Sequence, residues 1–229
     1  MGTVDDDWVA HHYDYRAPEL GRQLHSSFER MRARCPVTHS DQRGGYWVVA
    51  AHDEVVQVAQ DWETFSSELG VSIPETTMVS KAIPEHIDPP LHREYKRLIN
   101  AHFSPAAVAP FEDDTRAIVT RLIDDFVERG SVDFMADFAV PFPGLAFFEL
   151  ALGAPAGELE TVNHHATSAT KPDNPDAREH WLALNEWIDA FIDRRRDEPA
   201  RGDVVDSVLV AEIEGRPIRE DQARASICC

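Results

Sequence analysis

The sequence predicts a mainly helical protein with one small β-sheet. Apolar residues recur at helical spacing in separated stretches, such as Ile118, Val119, Leu122, Ile123 and Phe126, and later Trp181, Leu184, Ile188 and Phe191. One stretch, "CPVTHSDQRGGYWVVAAHD", instead sets β-branched and aromatic residues on either side of a Gly44-Gly45 turn. No repeat and no low-complexity tract appears, and 229 residues suffice for one domain with a real core or for part of a larger one.

Taken in order, residues 1–20 are acidic and irregular, and a helix is expected over Glu19–Arg34. A hairpin should pair Val37–His39 with Tyr46–Ala50, followed by a helix over Asp53–Gln60. Residues 64–84 have no clean period and are expected to form a loop. Asp88 suits an N-cap and Pro89 a first helical position, so a helix should run from there to about His102. Ser104-Pro105 stops it and starts the next, which Pro110 kinks early and Gly130 ends. "SVDFMADF" is expected to hold a short strand. Phe142–Leu152 has almost no charge and is expected as a helix deep in the core. Residues 156–170 have a mixed helical pattern, "KPDNPD" is a loop, and a long amphipathic helix should end near Arg196. After the linker "DEPARGD", a helix over Asp206–Glu214, a turn at "EGRPI" and a final helix over Arg219–Cys229 are expected.

Apolar residues make up 43% of the chain, and no window approaches the roughly 18 consecutive apolar residues of a membrane span. The start, MGTVDDDWVA, has neither the basic opening nor the apolar core of a secretory signal, and Asp6 breaks the myristoylation pattern. With 22 basic and 41 acidic residues the net charge is −19, which argues against a broad nucleic-acid surface. The three cysteines, Cys35, Cys228 and Cys229, allow no disulfide framework and no zinc spacing, so a reducing, cytoplasmic compartment is expected.

Nucleotide-binding, hydrolase-elbow and H-E-x-x-H motifs are absent. The pairs His11-His12 and His164-His165 are adjacent on the chain, so their side chains diverge by about 100° on a helix, and they are expected to be solvated surface histidines rather than chelators. The segment "AIPEHIDPPLHREYKRLINAHFSP" is different, because it packs bases onto one short helix of an acidic chain. His92 and Lys96 are four apart and share a face that could grip a carboxylate or phosphate. Spacing alone favours a solvated face, since His12/Arg16 and His39/Arg43 have the same spacing.

The wider context resembles the helix-C region of the cytochrome P-450 family, in its soluble bacterial form. The family pattern D-P-P-x-H-x-x-x-R, followed by F-[ST]-P, appears here as Asp88, Pro89, Pro90, His92, Lys96, Phe103, Ser104 and Pro105. "GGYWVVAAHDEVVQVAQDWETFSSE" resembles the family's first sheet and helix B, and "FAVPFPGLAFFELALGAP" its helix E. "TKPDNPDAREHWLALNEWIDAFIDRRRDEP" is similar to the F–G loop and helix G, and "DVVDSVLVAEIEGRPIREDQARASICC" to helix H and the start of helix I. The order and spacing look most like camphor-type enzymes.

The resemblance implies the N-terminal portion, residues 1–229, of a single all-α cytochrome P-450 domain truncated at the start of helix I. It implies heme b as cofactor, with His92 and Lys96 on the propionates, and ferredoxin and ferredoxin reductase as electron donors. It also implies insertion of one oxygen atom from O2 into a small apolar substrate. Residues 66–84 would form the B–C loop, with Met78, Val79, Ser80 and Ile83 as pocket contacts, and Lys171–Asn174 would lie at the pocket mouth. Arg93 and Arg97 would dock the acidic ferredoxin.

Two departures qualify this. Lys96 stands where the family has arginine; it keeps the charge and loses the bidentate fork. The family's acidic-Thr step, its E-x-x-R and its F-x-x-G-x-x-x-C-x-G heme-thiolate loop are absent; E-x-x-R at Glu19/Arg22, Glu29/Arg32 and Glu198/Arg201 falls in the wrong order. Cys228 and Cys229 have no glycine-rich surroundings and are not expected to ligate iron. The expectation is an incomplete reading frame, inactive by itself, with a heme-free helical scaffold and a nonfunctional gene fragment as the other readings.

Overall fold

The computed structural model describes residues 6–70, 73, 81–171 and 174–227, which divide into two compact units, 1–76 and 77–229. The chain is mainly helical, as the periodicity predicts.

In the first unit, helices α1 (Asp6–His11) and α2 (Pro18–Arg34) precede strands β1 (Val37–Ser40) and β2 (Tyr46–Val49), and α3 (His52–Gln60) follows. The strands pair antiparallel from Val37 opposite Val49 to Ser40 opposite Tyr46. Their connection needs left-handed backbone at Arg43, Gly44 and Gly45, which explains the glycine pair. Asp14 holds the turn through two hydrogen bonds from Arg43, Nε at 2.8 Å and Nη2 at 3.0 Å. The core is Val9, Tyr13, Leu20 and Met31.

The second unit contains α4 (Leu91–Asn100), α5 (Pro105–Val108), α6 (Glu112–Val127), α7 (Pro141–Ala146), α8 (Leu159–Thr170), α9 (Ala177–Asp197), α10 (Val204–Leu209), β3 (Glu212–Ile213), β4 (Arg216–Pro217) and α11 (Glu220–Ile227). The long helix α9 buries Trp181, Leu184, Ile188 and Phe191, the stripe legible in the sequence. It packs on α8, α10 and α11, while α4 packs on α10 and β3. Ser104 caps α5, its hydroxyl accepting from the Ala107 amide at 3.3 Å. On α6, Ile118 and Leu122 are buried, whereas Ile123 is exposed.

Four expectations are corrected. Helix α4 begins at Leu91 rather than Pro89, because a residue that precedes proline is pushed out of helical conformation and Pro89 precedes Pro90. The segment 131–138 forms no strand; the Asp133 carboxylate accepts the amides of Met135 and Ala136, both at 3.1 Å, and starts a π-helical turn over Met135–Ala139. The apolar stretch 142–152 is α7 followed by a second π turn, Phe147–Ala151. It buries Phe148 and Leu152, yet Phe147 remains 41% exposed. The expected helix over 206–214 starts earlier, because Asp203 accepts from the Asp206 amide at 3.0 Å and caps α10. It also ends earlier, because Glu214 and Gly215 take positive φ and close a hairpin between β3 and β4, so a second two-stranded sheet is present.

Arg195 is buried inside the second unit, 3% exposed. It donates to the Leu152 carbonyl at 3.0 Å, to Asp203 at 3.0 Å and to Asp206 at 2.7 Å. Burial alone would raise the Asp206 carboxyl, but amide hydrogen bonds from Gly202 and Arg201 and the Arg195 charge outweigh it and hold the group below its ordinary value. Its contribution to stability is therefore complete above the unfolded aspartate value of about 3.9 and is lost as pH falls through the lower folded value. Arg195→Met should cost about 3 kcal/mol, because it leaves two carboxylates uncompensated. It should also flatten the acid-induced loss of stability seen in wild type. Urea midpoints at neutral and acidic pH check this; identical midpoints and acid slopes for the two proteins would contradict it.

Candidate functional site

Helix α4 has two chemically distinct sides. Leu91, Tyr95 and Ile99 recur at helical spacing on the apolar side. Tyr95 is fully buried beside Ile83, Ile87, Ile213 and Ala225, and burial pushes its phenol above the ordinary value. Two hydrogen bonds fix the surroundings: the Ile83 amide donates to the Ala225 carbonyl at 3.1 Å, and the Glu214 amide donates to Glu94 Oε2 at 3.0 Å. Beyond the helix, His102 Nε2 lies 2.8 Å from Ser207 Oγ on α10.

His92 and Lys96 lie one turn apart, with His92 half-buried and Lys96 exposed. Arg93 and Arg97 are exposed and project further round the helix. Among the described residues none of these four groups has an ion-pair partner. Arg22 and Arg32 on α2, Arg178 on α9 and Arg216 on β4 share that property, but α4 gathers four such groups within six residues. Arg194, Arg195, Arg196, Arg219 and Arg224 are by contrast each held by a carboxylate.

Lys96 stands at the rim of an apolar cleft of about 160 Å³. The cleft is walled by Pro84, Ile99 and Phe103, by Phe147 and Leu152, by Val204, Val205 and Val208 of α10, and by Ser226 and Ile227 of α11. Phe103 and Phe147 stack with centroids 6.3 Å apart and planes at 16°. A larger cavity of about 500 Å³ shares Phe103 and Val204 with it and carries His102 and Arg201. Arg195 supports the cleft from behind, since it binds the Leu152 carbonyl and both carboxylates of the α10 cap.

Of the residues singled out in the sequence, His92 and Lys96 share one helix face, and Lys96 meets the cleft. Ile83 is buried under α4, while its neighbour Pro84 reaches the cleft. Met78, Val79 and Ser80 lie outside the described residues, as do residues 172 and 173 of the 171–174 segment. Lys171 is exposed, and the Asn174 side-chain amide donates to the Ser168 carbonyl at 2.7 Å. The α10 valines were not singled out, although their Val204, Val205, Val208 spacing marks a helix face. An apolar slot with the Lys96 ammonium at its rim suits an apolar ligand that has an anionic margin. Of the α4 bases only Lys96 lines the cleft, whose volume of about 160 Å³ takes no more than the edge of such a ligand, and the lining contains no cysteine.

No protein-family model matches the chain. Curated relatives do. Over 215 residues the chain is 27% identical to cyclomarin C epoxidase CymV of Salinispora arenicola (strain CNS-205), covering 88% of this chain and 53% of that protein. Over 206 residues it is 26% identical to cytochrome P450 109 of Bacillus spizizenii (strain ATCC 23059 / NRRL B-14472 / W23), covering 85% and 48%. The crystal structure of CYP101J2 superposes with a TM-score of 0.75 at 25% identity, covering 96% of this chain and 54% of that one. In sequence and in fold the chain is similar to cytochrome P450s over most of its length. It spans about half the length of the curated relatives it matches. Among the described residues no helix is long and apolar enough to cross a membrane.

The Tyr95 hydroxyl is buried with no hydrogen-bond partner among the described residues. Tyr95→Phe should therefore leave stability unchanged or raise it by about 1 kcal/mol. Tyr95→Ala should cost about 3–5 kcal/mol by opening a cavity beneath α4. Thermal or urea unfolding of both variants tests this; a cost above about 1 kcal/mol for Tyr95→Phe would show that the hydroxyl is bonded in solution.

Proposed function

We propose that residues 1–229 form the N-terminal part of a heme-thiolate monooxygenase, in which His92 and Lys96 hold the two propionates of heme b. The observation that supports this most is the pairing of unpartnered donors on α4 with the apolar cleft at Lys96. Bound heme would supply the activation of O2, with an iron-ligating thiolate provided by sequence beyond these residues. This chain's part is to bind the macrocycle edge, to neutralise its carboxylates and to exclude water along the wall of Phe103, Phe147, Val205 and Val208. Catalysis then requires the remainder of the longer protein.

The substrate in this reading is a small apolar organic molecule that accepts one oxygen atom, and the protein works in the cytoplasm. Electrons come from a ferredoxin served by a ferredoxin reductase. The exposed and unpaired Arg93 and Arg97 give an acidic ferredoxin a basic landing point on a chain whose net charge is −19.

Lysine at position 96 should hold a propionate as a point charge. A hydrogen bond to a charged group contributes roughly 1.5–3 kcal/mol, so Lys96→Ala should speed heme loss by about ten- to a hundredfold. Lys96→Arg should retain heme as well as or better than wild type, because its fork can pair with both carboxylate oxygens. Transfer of heme to apomyoglobin from the longer protein, timed for wild type, both single variants and the double alanine change at Arg93 and Lys96, measures this. Loss confined to the double variant would assign the contact to the pair. Equal rates for all four would leave Lys96 a solvated lysine and overturn its assignment to a propionate.

A further inference from the structure

His165 in the middle of α8 and His180 in the first turn of α9 lie with their Nδ1 atoms 3.0 Å apart. The two helices pack side by side, and the residues between them form a short connection. His164 lies beside both, with ring centroids 5.3 Å from His180 and 5.4 Å from His165. Adjacent histidines on one helix diverge, so the sequence pair His164-His165 says nothing by itself; the third ring, brought in by α9, changes the chemistry.

We propose that His165 and His180 form a two-imidazole clamp for a divalent first-row metal ion with tetragonal preference, Cu2+ or Ni2+, linking α8 to α9. The separation selects the geometry. Metal–nitrogen bonds of about 2.0–2.1 Å meeting at a right angle place the nitrogens about 2.8–3.0 Å apart, whereas a tetrahedral angle places them about 3.3–3.4 Å apart. The observed 3.0 Å matches the first arrangement, which is that of Cu2+ and Ni2+ sites with nitrogen ligands. Among the described residues no set of three or more His, Cys, Asp and Glu side chains is arranged around a common metal position, so water completes the coordination. Without metal, one Nδ1–H donates to the other ring's Nδ1 lone pair. Binding shifts that proton to Nε2 of the same ring, so both rings stay neutral and no proton is released. His165 and His180 are both half-buried, which limits competition from bulk water while leaving an approach open. A bound ion ties the middle of α8 to the first turn of α9.

The test is titration of untagged residues 1–229 with Cu2+, read by calorimetry and by the nitrogen hyperfine pattern in electron paramagnetic resonance. Wild type is expected to take up one tightly held ion with two nitrogen ligands. His165→Ala and His180→Gln should each weaken it by at least about tenfold, the loss of one ligand bond. The glutamine variant can still hydrogen-bond to His165, so circular dichroism should show its fold intact while the metal is lost. His52→Ala, at an exposed histidine beside Asp53, should leave the affinity unchanged. Tight binding that survives in both His165→Ala and His180→Gln, or wild type without a tight equivalent, would overturn the proposal.

Discussion

Burial of Tyr95 sets the orientation of α4, and the candidate site follows from that orientation. The ring is fully enclosed by Ile83, Ile87, Ile213 and Ala225, which come from the turn before α4, from β3 and from α11. Successive side chains advance about 100° around a helix. Once Tyr95 points inward, Leu91 and Ile99 follow it, His92 and Lys96 fall at the border of the apolar side, and Arg93 and Arg97 turn away. The basic residues of an acidic chain are thus sorted into an inner and an outer set by one aromatic anchor. Glu94 adds to this by accepting the Glu214 amide, which pins the β3–β4 turn against the helix.

The opposite wall of the cleft depends on a second constraint, the buried Arg195 charge. Its guanidinium reaches the Leu152 carbonyl from α9 and binds both Asp203 and Asp206 of the α10 cap. Val204, Val205 and Val208 then face the cleft from a helix whose first turn is fixed by charge-assisted hydrogen bonds. Replacing such an ionic cluster by apolar residues can be neutral elsewhere, so its value here lies in position: it places one short helix against π-turn backbone at Leu152.

What the sequence disclosed follows the same physics. The α9 stripe was legible because four apolar residues repeat at an uninterrupted 3.6-residue period, and the first hairpin because Gly44 and Gly45 admit positive φ. Residues 131–138 misled because Val132 and Phe134 alternate with Ser131 and Asp133 as in a strand, while the outcome was decided by the Asp133 carboxylate on two amides. The 212–217 hairpin was hidden because a glutamate, Glu214, takes the left-handed conformation beside Gly215. That His92 and Lys96 share one helix face was legible from their four-residue spacing. The cleft wall was not, because Phe147, Val205, Val208 and Ser226 meet from separate elements and leave no local pattern. The closeness of His165 and His180 is of the same kind, made by the packing of α8 on α9.

In the proposed function, the face of α4 set by Tyr95, together with α10 and α11, receives heme. Hydrogen–deuterium exchange of residues 1–229 with and without added hemin tests it most directly. Slowed exchange confined to the α4 segment 91–103, to 204–208 and to 224–227 is the predicted result. An exchange pattern unchanged by hemin, or protection gathered on other segments with these three unaffected, would contradict it.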